Sequence, residues 1–174
     1  MTDNLSTLIL GGARSGKSRY AECLAERTDR KLIYLATAQI FDDEMRARVD
    51  LHIDRRGPDW TTHEEPMDLA GAIRQNCMPD AFVLVDCITL WLTNIMLAER
   101  DVTAEGAELV AAIAEAKGHL VLVSNEVGYG IVPENALARK FRDEAGLLNQ
   151  RLAEVCERVV LVSAGLPLTL KAKT

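Results

Sequence analysis

With 174 residues, 48% of them hydrophobic and 26% charged, the chain has the make-up of one soluble α/β domain able to bury a substantial core. A net charge of −6 argues against a nucleic-acid-binding surface, and four cysteines without a C-x-x-C spacing suggest neither a zinc site nor a disulfide framework. The longest uncharged apolar run, residues 87–98, is too short to span a bilayer, and Met1-Thr2-Asp3-Asn4 lacks the basic and apolar regions of a signal peptide, so the expectation is a cytoplasmic protein.

In chain order, an apolar run over residues 5–10 predicts a strand, followed by Gly11-Gly12-Ala13-Arg14-Ser15-Gly16-Lys17-Ser18 and a helix over 18–26. This is the P-loop pattern G-x-x-x-x-G-K-[ST] in a strand–loop–helix setting. Glycines let the loop turn its N–H groups toward phosphate oxygens, and the following helix adds its positive dipole end. Lys17 supplies a point charge for the outer phosphates, and the Ser18 hydroxyl is suited to Mg²⁺. The chain therefore reads as a nucleoside triphosphate binder.

A second strand is predicted over 31–36. Beyond it, residues 41–53 read as a helix that buries Phe41, Met45, Val49 and Ile53, with Glu44, Arg48 and His52 on the neighbouring stripe and Arg55 and Arg56 just beyond. By periodicity alone this is a solvated charged face carrying a surface histidine. Equally, guanidinium groups suit phosphate oxygens, and a cationic neighbourhood favours the neutral, nucleophilic form of an imidazole. His63 is a weaker rival for that part, and His119, opening a strand, reads as structural.

Pro66 suits the first turn of a helix running to about residue 76. Residues 81–86 predict a third strand ending in Asp86. A strand-terminal Asp is usually a turn residue, but downstream of a P-loop it reads as the carboxylate opposite the Ser18 hydroxyl at Mg²⁺. Ile88, Trp91, Leu92, Ile95 and Met96 then form one helical face, and another helix is expected from Thr103, as N-cap, to Gly118. A strand over 119–124 precedes Glu126, which could lie near the γ-phosphate as a base or merely hold its own loop. A long helix over 134–157 carries Leu137, Phe141, Ala145, Leu148, Leu152 and Val155, followed by a strand over 159–162 and an edge strand over 166–170 that tolerates Pro167. The alternation of strands and helices predicts an α/β fold of the P-loop NTPase type, with a mainly parallel sheet and helices on both faces, as a single domain over residues 1–174.

Several blocks go beyond generic nucleotide binding: Gly-Gly-Ala-Arg-Ser-Gly-Lys-Ser-Arg at 11–19, Tyr-Leu-Ala-Thr-Ala-Gln at 34–39, Asp-Asp-Glu-Met at 42–45 and Arg48-x-x-x-His52. Val85-Asp86-Cys87-Ile88-Thr89, Ser-Asn-Glu-Val-Gly-Tyr-Gly-Ile-Val-Pro-Glu-Asn at 124–135, Phe141-Arg142-Asp143 and Asn149-Gln150-Arg151 continue the series. Through them nearly the whole chain resembles the bifunctional adenosylcobinamide kinase/adenosylcobinamide-phosphate guanylyltransferase family of cobalamin biosynthesis. The resemblance implies phosphorylation of adenosylcobinamide by ATP or GTP, then transfer of GMP from GTP to adenosylcobinamide phosphate through a guanylyl-histidine. His52 occupies the nucleophile's position. Nucleotide contacts implied by the resemblance are Gly11, Gly12, Ala13, Arg14, Ser15, Gly16, Lys17, Ser18, Ala36, Thr37, Ala38, Ile53, Asp54, Arg55, Arg56, Glu64 and Asp86. Lys17 would act in catalysis, and Ser18 and Asp86 would hold Mg²⁺. Asp86 stands where some relatives have Glu, with a shorter reach, and Arg56-Gly57-Pro58-Asp59-Trp60 replaces a common Arg-Pro-x-x-Trp. A homotrimer is also implied. The competing readings are a single-function small-molecule kinase, for which Arg139 and Arg142 are the candidate lid arginines, and a non-catalytic nucleotide-binding switch.

Overall fold

The computed structural model describes residues 5–39 and 57–172. Along them run β1 (Ser6–Gly11), α1 (Lys17–Ala25), β2 (Lys31–Ala36), β3 (Trp60–Glu64), α2 (Leu69–Asn76) and β4 (Ala81–Asp86). The second half comprises α3 (Ile88–Leu97), α4 (Val102–Ala114), β5 (His119–Asn125), α5 (Ala136–Val155), β6 (Arg158–Ser163) and β7 (Leu166–Lys171). The helix expected over 41–53, and with it His52, Ile53, Asp54, Arg55 and Arg56, lies outside the described residues.

The strands form one seven-stranded sheet in the order β3-β2-β4-β5-β1-β6-β7. Every pairing is parallel except β6 with β7. The central strands are continuous apolar runs because both of their faces are covered, and the period of two sorts their side chains into two cores. Leu8, Leu35, Val83, Val85, Leu120 and Leu122 meet Ile73, Trp91, Leu92, Ile95, Leu109, Leu148 and Leu152 from α2, α3, α4 and α5. On the other face Ile9, Tyr34, Phe82, Leu84, Val121, Val123 and Val160 meet Ala21 and Ala25 of α1. Small residues on α1 let its axis come close to the sheet, which brings the start of that helix up to the end of β1.

One strand was not expected, and three local expectations are corrected. The edge strand β3 has no apolar run to announce it, since Thr61 to Glu64 are exposed; only Trp60 reaches inward, edge-on to Tyr34 and Phe82 with ring centroids 6.3 and 6.1 Å away. Helix α2 begins beyond Pro66, at Leu69, because Glu65 Oε1 accepts the N–H groups of Met67 and Asp68 and Asp68 itself caps Gly71 N. Helix α4 is capped by Asp101, not Thr103: the Asp101 carboxylate accepts from Thr103 N at 2.9 Å and Ala104 N at 3.1 Å. A carboxylate is the better acceptor at a helix start. That helix also stops at Ala114, before Gly118, since the Lys117 and Gly118 amides turn away to donate to Cys77 O.

At the C-terminal end the expected edge strand is present as β7. A two-residue turn at Ala164 and Gly165, with φ of 51° and 79°, joins it to β6. Positive φ at both central positions matches the twist of an antiparallel hairpin. Lys171 Nζ donates to Ala153 O and Glu154 O, satisfying carbonyls at the end of α5.

Candidate functional site

The site is built at the carboxyl ends of the parallel strands, where ligands of open α/β sheets bind. Gly11 closes β1 and packs where no side chain fits, since a Cβ there would stand 2.5 Å from Val162 O and from Ser15 Oγ. The loop then turns through Arg14 at φ 54° and Gly16 at φ 97°. It is closed by Ser15 N donating to Gly12 O at 3.3 Å and by Gly165 N donating to Ser15 O at 2.8 Å, which ties the loop to the β6–β7 turn. No side chain caps α1, and its first turn holds no acidic residue. Its leading N–H groups are therefore left for a phosphate.

Lys17, the first residue of α1, is only 8% exposed and donates from Nζ to Gly12 O at 3.0 Å, so its ammonium lies within the loop. Burial lowers its pKa, and the charge of Asp86 opposes that shift in part. The two side chains thus sense one another across the strand ends. Register explains the proximity. Asp86 is level with Ala36 on one side and Val123 on the other, and Gly11 is level with Asn125. Glu64 is level with Ala36, so Glu64, Ala36 and Asp86 form a row across β3, β2 and β4.

Thr37 and Ala38 follow directly. The Thr37 side chain is fully buried and bridges β2 to the chain after β4: its hydroxyl donates to Cys87 O at 2.7 Å and accepts from Cys87 N at 2.9 Å. Its contribution to the site is therefore to hold the row in place. Asn94 of α3 reinforces the latch, with Nδ2 donating to Thr37 O at 2.8 Å and Pro66 O at 3.0 Å. Nothing in the chain singled out Asn94 beforehand, and its only signal is a polar residue within an otherwise apolar helix.

A polar cluster whose residues lie in the blocks at 85–89, 124–135 and 149–151, but to which the sequence assigned no role, sits beside the P-loop. Asn125 Nδ2 donates to Thr89 Oγ1 at 2.6 Å, and the Thr89 hydroxyl lies 3.1 Å from Cys87 Sγ. Ser124 Oγ donates to Asn149 Oδ1 at 2.7 Å, anchoring the end of β5 to α5. Burial first, and then the Asp86 charge, push the Cys87 thiol up to about 11, so it stays protonated and inert as a nucleophile at neutral pH. Glu126 follows, its N–H donating to Gly11 O at 3.0 Å and its Oε1 accepting from Gly128 N at 2.6 Å. It does hold its own loop.

The remaining candidates separate from this edge. His119 opens β5 at the opposite end of the sheet, against Phe82 at 5.0 Å between ring centroids, and burial followed by the Arg30 and Arg158 charges lowers its pKa. It is structural, as expected. His63 is exposed on β3. Arg139 donates to Pro133 O and Glu134 O, and Arg142 meets Asp143, so both proposed lid arginines are engaged locally.

Known proteins resemble the chain over most of its length. The family model described as cobinamide kinase / cobinamide phosphate guanyltransferase matches residues 7–170. The bifunctional adenosylcobalamin biosynthesis protein CobP of Pseudomonas aeruginosa is 48% identical over 168 residues, covering 95% of this chain and 97% of the relative. CobU of Salmonella typhimurium, of the same description, is 44% identical over 94% of this chain and 98% of its own. Among solved structures, an ATPase from a type III secretion system superposes with a TM-score of 0.55 at 10% identity, over 95% of this chain and 57% of that one. A Pyrococcus horikoshii protein, PH0250, gives 0.54 at 12% identity over 98% of this chain and 88% of that one. These two likenesses concern the fold alone, that of the P-loop NTPases. On the match over residues 7–170 and the identity to full-length relatives, the chain belongs to the cobinamide kinase / cobinamide phosphate guanyltransferase family.

Proposed function

We propose that this chain is a bifunctional enzyme that phosphorylates adenosylcobinamide with ATP or GTP and then guanylylates adenosylcobinamide phosphate through a histidine. The observation that carries the reading is the uncapped P-loop helix with Lys17 buried in its loop and sensing the charge of Asp86 at the end of β4, within a chain that the family model matches over residues 7–170. In the kinase step the acceptor hydroxyl attacks the γ-phosphorus. The P-loop amides and Lys17 stabilise the charge that spreads over the phosphate oxygens. In the second step His52, whose imidazole is assigned by resemblance, attacks the α-phosphorus of GTP and expels pyrophosphate. The phosphate of the acceptor then displaces the imidazole and takes the GMP.

The donor set at the strand ends fits Mg²⁺. The Ser18 hydroxyl and the Asp86 carboxylate are hard oxygen donors, and the charge of Asp86 reaches Lys17, which supports a position for it near the bound phosphates. Among the described residues no group of three or more His, Cys, Asp or Glu side chains could hold a metal by itself. A Mg²⁺ ion would be bound by one or two protein oxygens and otherwise by nucleotide phosphates and water, where it would neutralise phosphate charge. A cytoplasmic location is proposed with this function; among the described residues no helix is long and apolar enough to cross a membrane.

The test is incubation of the protein with Mg²⁺ and α-³²P-GTP beside His52→Ala. Expected is label on the wild type that survives denaturation and alkali, is lost in acid and is absent from the variant. No label despite measured GTP binding would remove the guanylyltransferase half, and label persisting on His52→Ala would move the nucleophile elsewhere.

We further propose that the chain works as a homo-oligomer, a trimer by resemblance. Supporting this, Leu166, Leu168 and Leu170 stand 73%, 59% and 55% exposed on one side of the edge strand β7. Such a row on an open sheet edge is a surface that natural proteins ordinarily cover. Light scattering after size exclusion should give three chains for the wild type and fewer for Leu168→Glu; an unchanged mass for the variant removes β7 from the interface.

A further inference from the structure

Between the P-loop, α3 and the chain that leaves β5 lies a recess of about 490 Å³. Ala13 of the P-loop forms one wall, and Thr89, Thr93, Asn125 and Glu126 supply polar groups. Leu90, Val127, Tyr129 and Phe141 supply its apolar lining. Tyr129 is 86% exposed, and close by in the chain Ile131 is 97% and Val132 58% exposed, so the apolar lining continues outward as an uncovered loop. A larger recess of about 600 Å³ between α4 and α5 holds Arg151 and Glu154 but no P-loop residue. Only the first is continuous with the phosphate site.

We propose that this recess receives the alcohol-bearing acceptor of the kinase reaction, with Glu126 taking the hydroxyl proton and the 127–132 loop lying against a bulky apolar part of the same molecule. The inference rests on the kinase reading above. Phosphoryl transfer needs the acceptor oxygen in line with the γ-phosphorus, hence beside the P-loop and not behind it. The Glu126 backbone is fixed to that point, its N–H donating to Gly11 O. Of the residues lining the recess Glu126 is the one carboxylate, and Thr89, Thr93 and Asn125 have no proton-accepting group of comparable basicity. Asn125 and Thr89 already bond one another, so they form a fixed polar floor against which a hydroxyl can be oriented. One Glu126 oxygen is used by Gly128 N, which holds the side chain in a single position; the other is the candidate proton acceptor.

The step balances without a further reactant. The acceptor O–H proton passes to the Glu126 carboxylate as the oxygen bonds the γ-phosphorus. The bond from the γ-phosphorus to its bridging oxygen breaks, and the nucleoside diphosphate leaves with that electron pair. An apolar loop beside a polar floor suits a large, mostly apolar ring system that carries a hydroxyl on a side arm, and it fits a small polar sugar or nucleoside poorly.

Glu126→Gln keeps an oxygen for Gly128 N and so preserves the turn. Its expected effect is a fall of about 10²-fold in kcat for acceptor phosphorylation with KM for ATP unchanged, the scale of a lost general base. Labelling by α-³²P-GTP, which involves no acceptor, should persist in the same preparation. Tyr129→Ala, at an exposed position, should raise KM for the acceptor and leave KM for ATP alone. Kinase turnover within threefold of wild type in Glu126→Gln overturns the base assignment, and so does joint loss of turnover and labelling. An unchanged acceptor KM in Tyr129→Ala overturns the apolar contact and leaves the loop for another occupant, such as a second copy of the chain. A wild type that labels with GTP but phosphorylates no acceptor overturns the kinase reading itself, a result distinct from either variant's failure.

Discussion

Lys17→Met is expected to lower kcat/KM for phosphorylation by about 10³-fold, the upper range for removing one preorganised donor at a developing phosphate charge, and to depress guanylylation in parallel. The reason is position. The ammonium sits within the loop, 3.0 Å from Gly12 O, and is only 8% exposed, so it acts where water screens it little. The same burial makes the group costly to the fold. Its pKa is lowered, mainly by desolvation, so the unfolded chain holds the Lys17 proton more tightly than the folded one. Stability must then rise with pH as it passes from the lowered folded pKa toward 10.5, and the full cost is present below the folded pKa. Met removes that cost. The melting temperature of Lys17→Met without nucleotide should therefore be at or above that of wild type, measured by calorimetry beside the kinase assay. Equal losses of activity and melting temperature would instead mark Lys17 as structural.

Asn94→Leu should give the larger stability effect. Its side chain is 5% exposed and satisfies two carbonyls, Thr37 O in a buried setting and Pro66 O in a partly buried one. Leucine approximates the volume and offers no donor, so two acceptors are left without this partner at about 1–3 kcal/mol each. For a chain of this size that is a fall of about 4–24 °C in melting temperature. The loss falls on the latch that joins the end of β2 to the chain after β4, because Thr37 spans to Cys87, next to Asp86. The KM for nucleotide should rise as well. Leu97→Ala, on the same helix at 60% exposure, is the control and should stay within about 0.5 kcal/mol of wild type. If both variants melt alike, the latch contributes nothing.

The sequence by itself determined the P-loop, the central strands and the family. These depend on residues adjacent in the chain: a glycine-bearing loop encodes its own backbone path, and an uninterrupted apolar run encodes a strand covered on both faces. The loop that holds Lys17 and the strand that ends in Asp86 were legible for that reason. The edges were not. Residues 60–64 carry Trp60 alone as an inward contact, so β3 has no run to read, and the start of α2 depended on which carboxylate, Glu65 or Asp68, reached which amide.

Strand order was decided only by the tertiary structure. Insertion of β5 between β1 and β4 puts Asn125 level with Gly11 and places Glu126 against the loop, although 114 residues separate Asn125 from Gly11 in the chain. It also makes a recess from α3, the β5–α5 connection and the P-loop, three segments with no shared local pattern. Such pairings are selected by the total burial and hydrogen bonding of the assembled sheet. No single stretch of the chain carries that information.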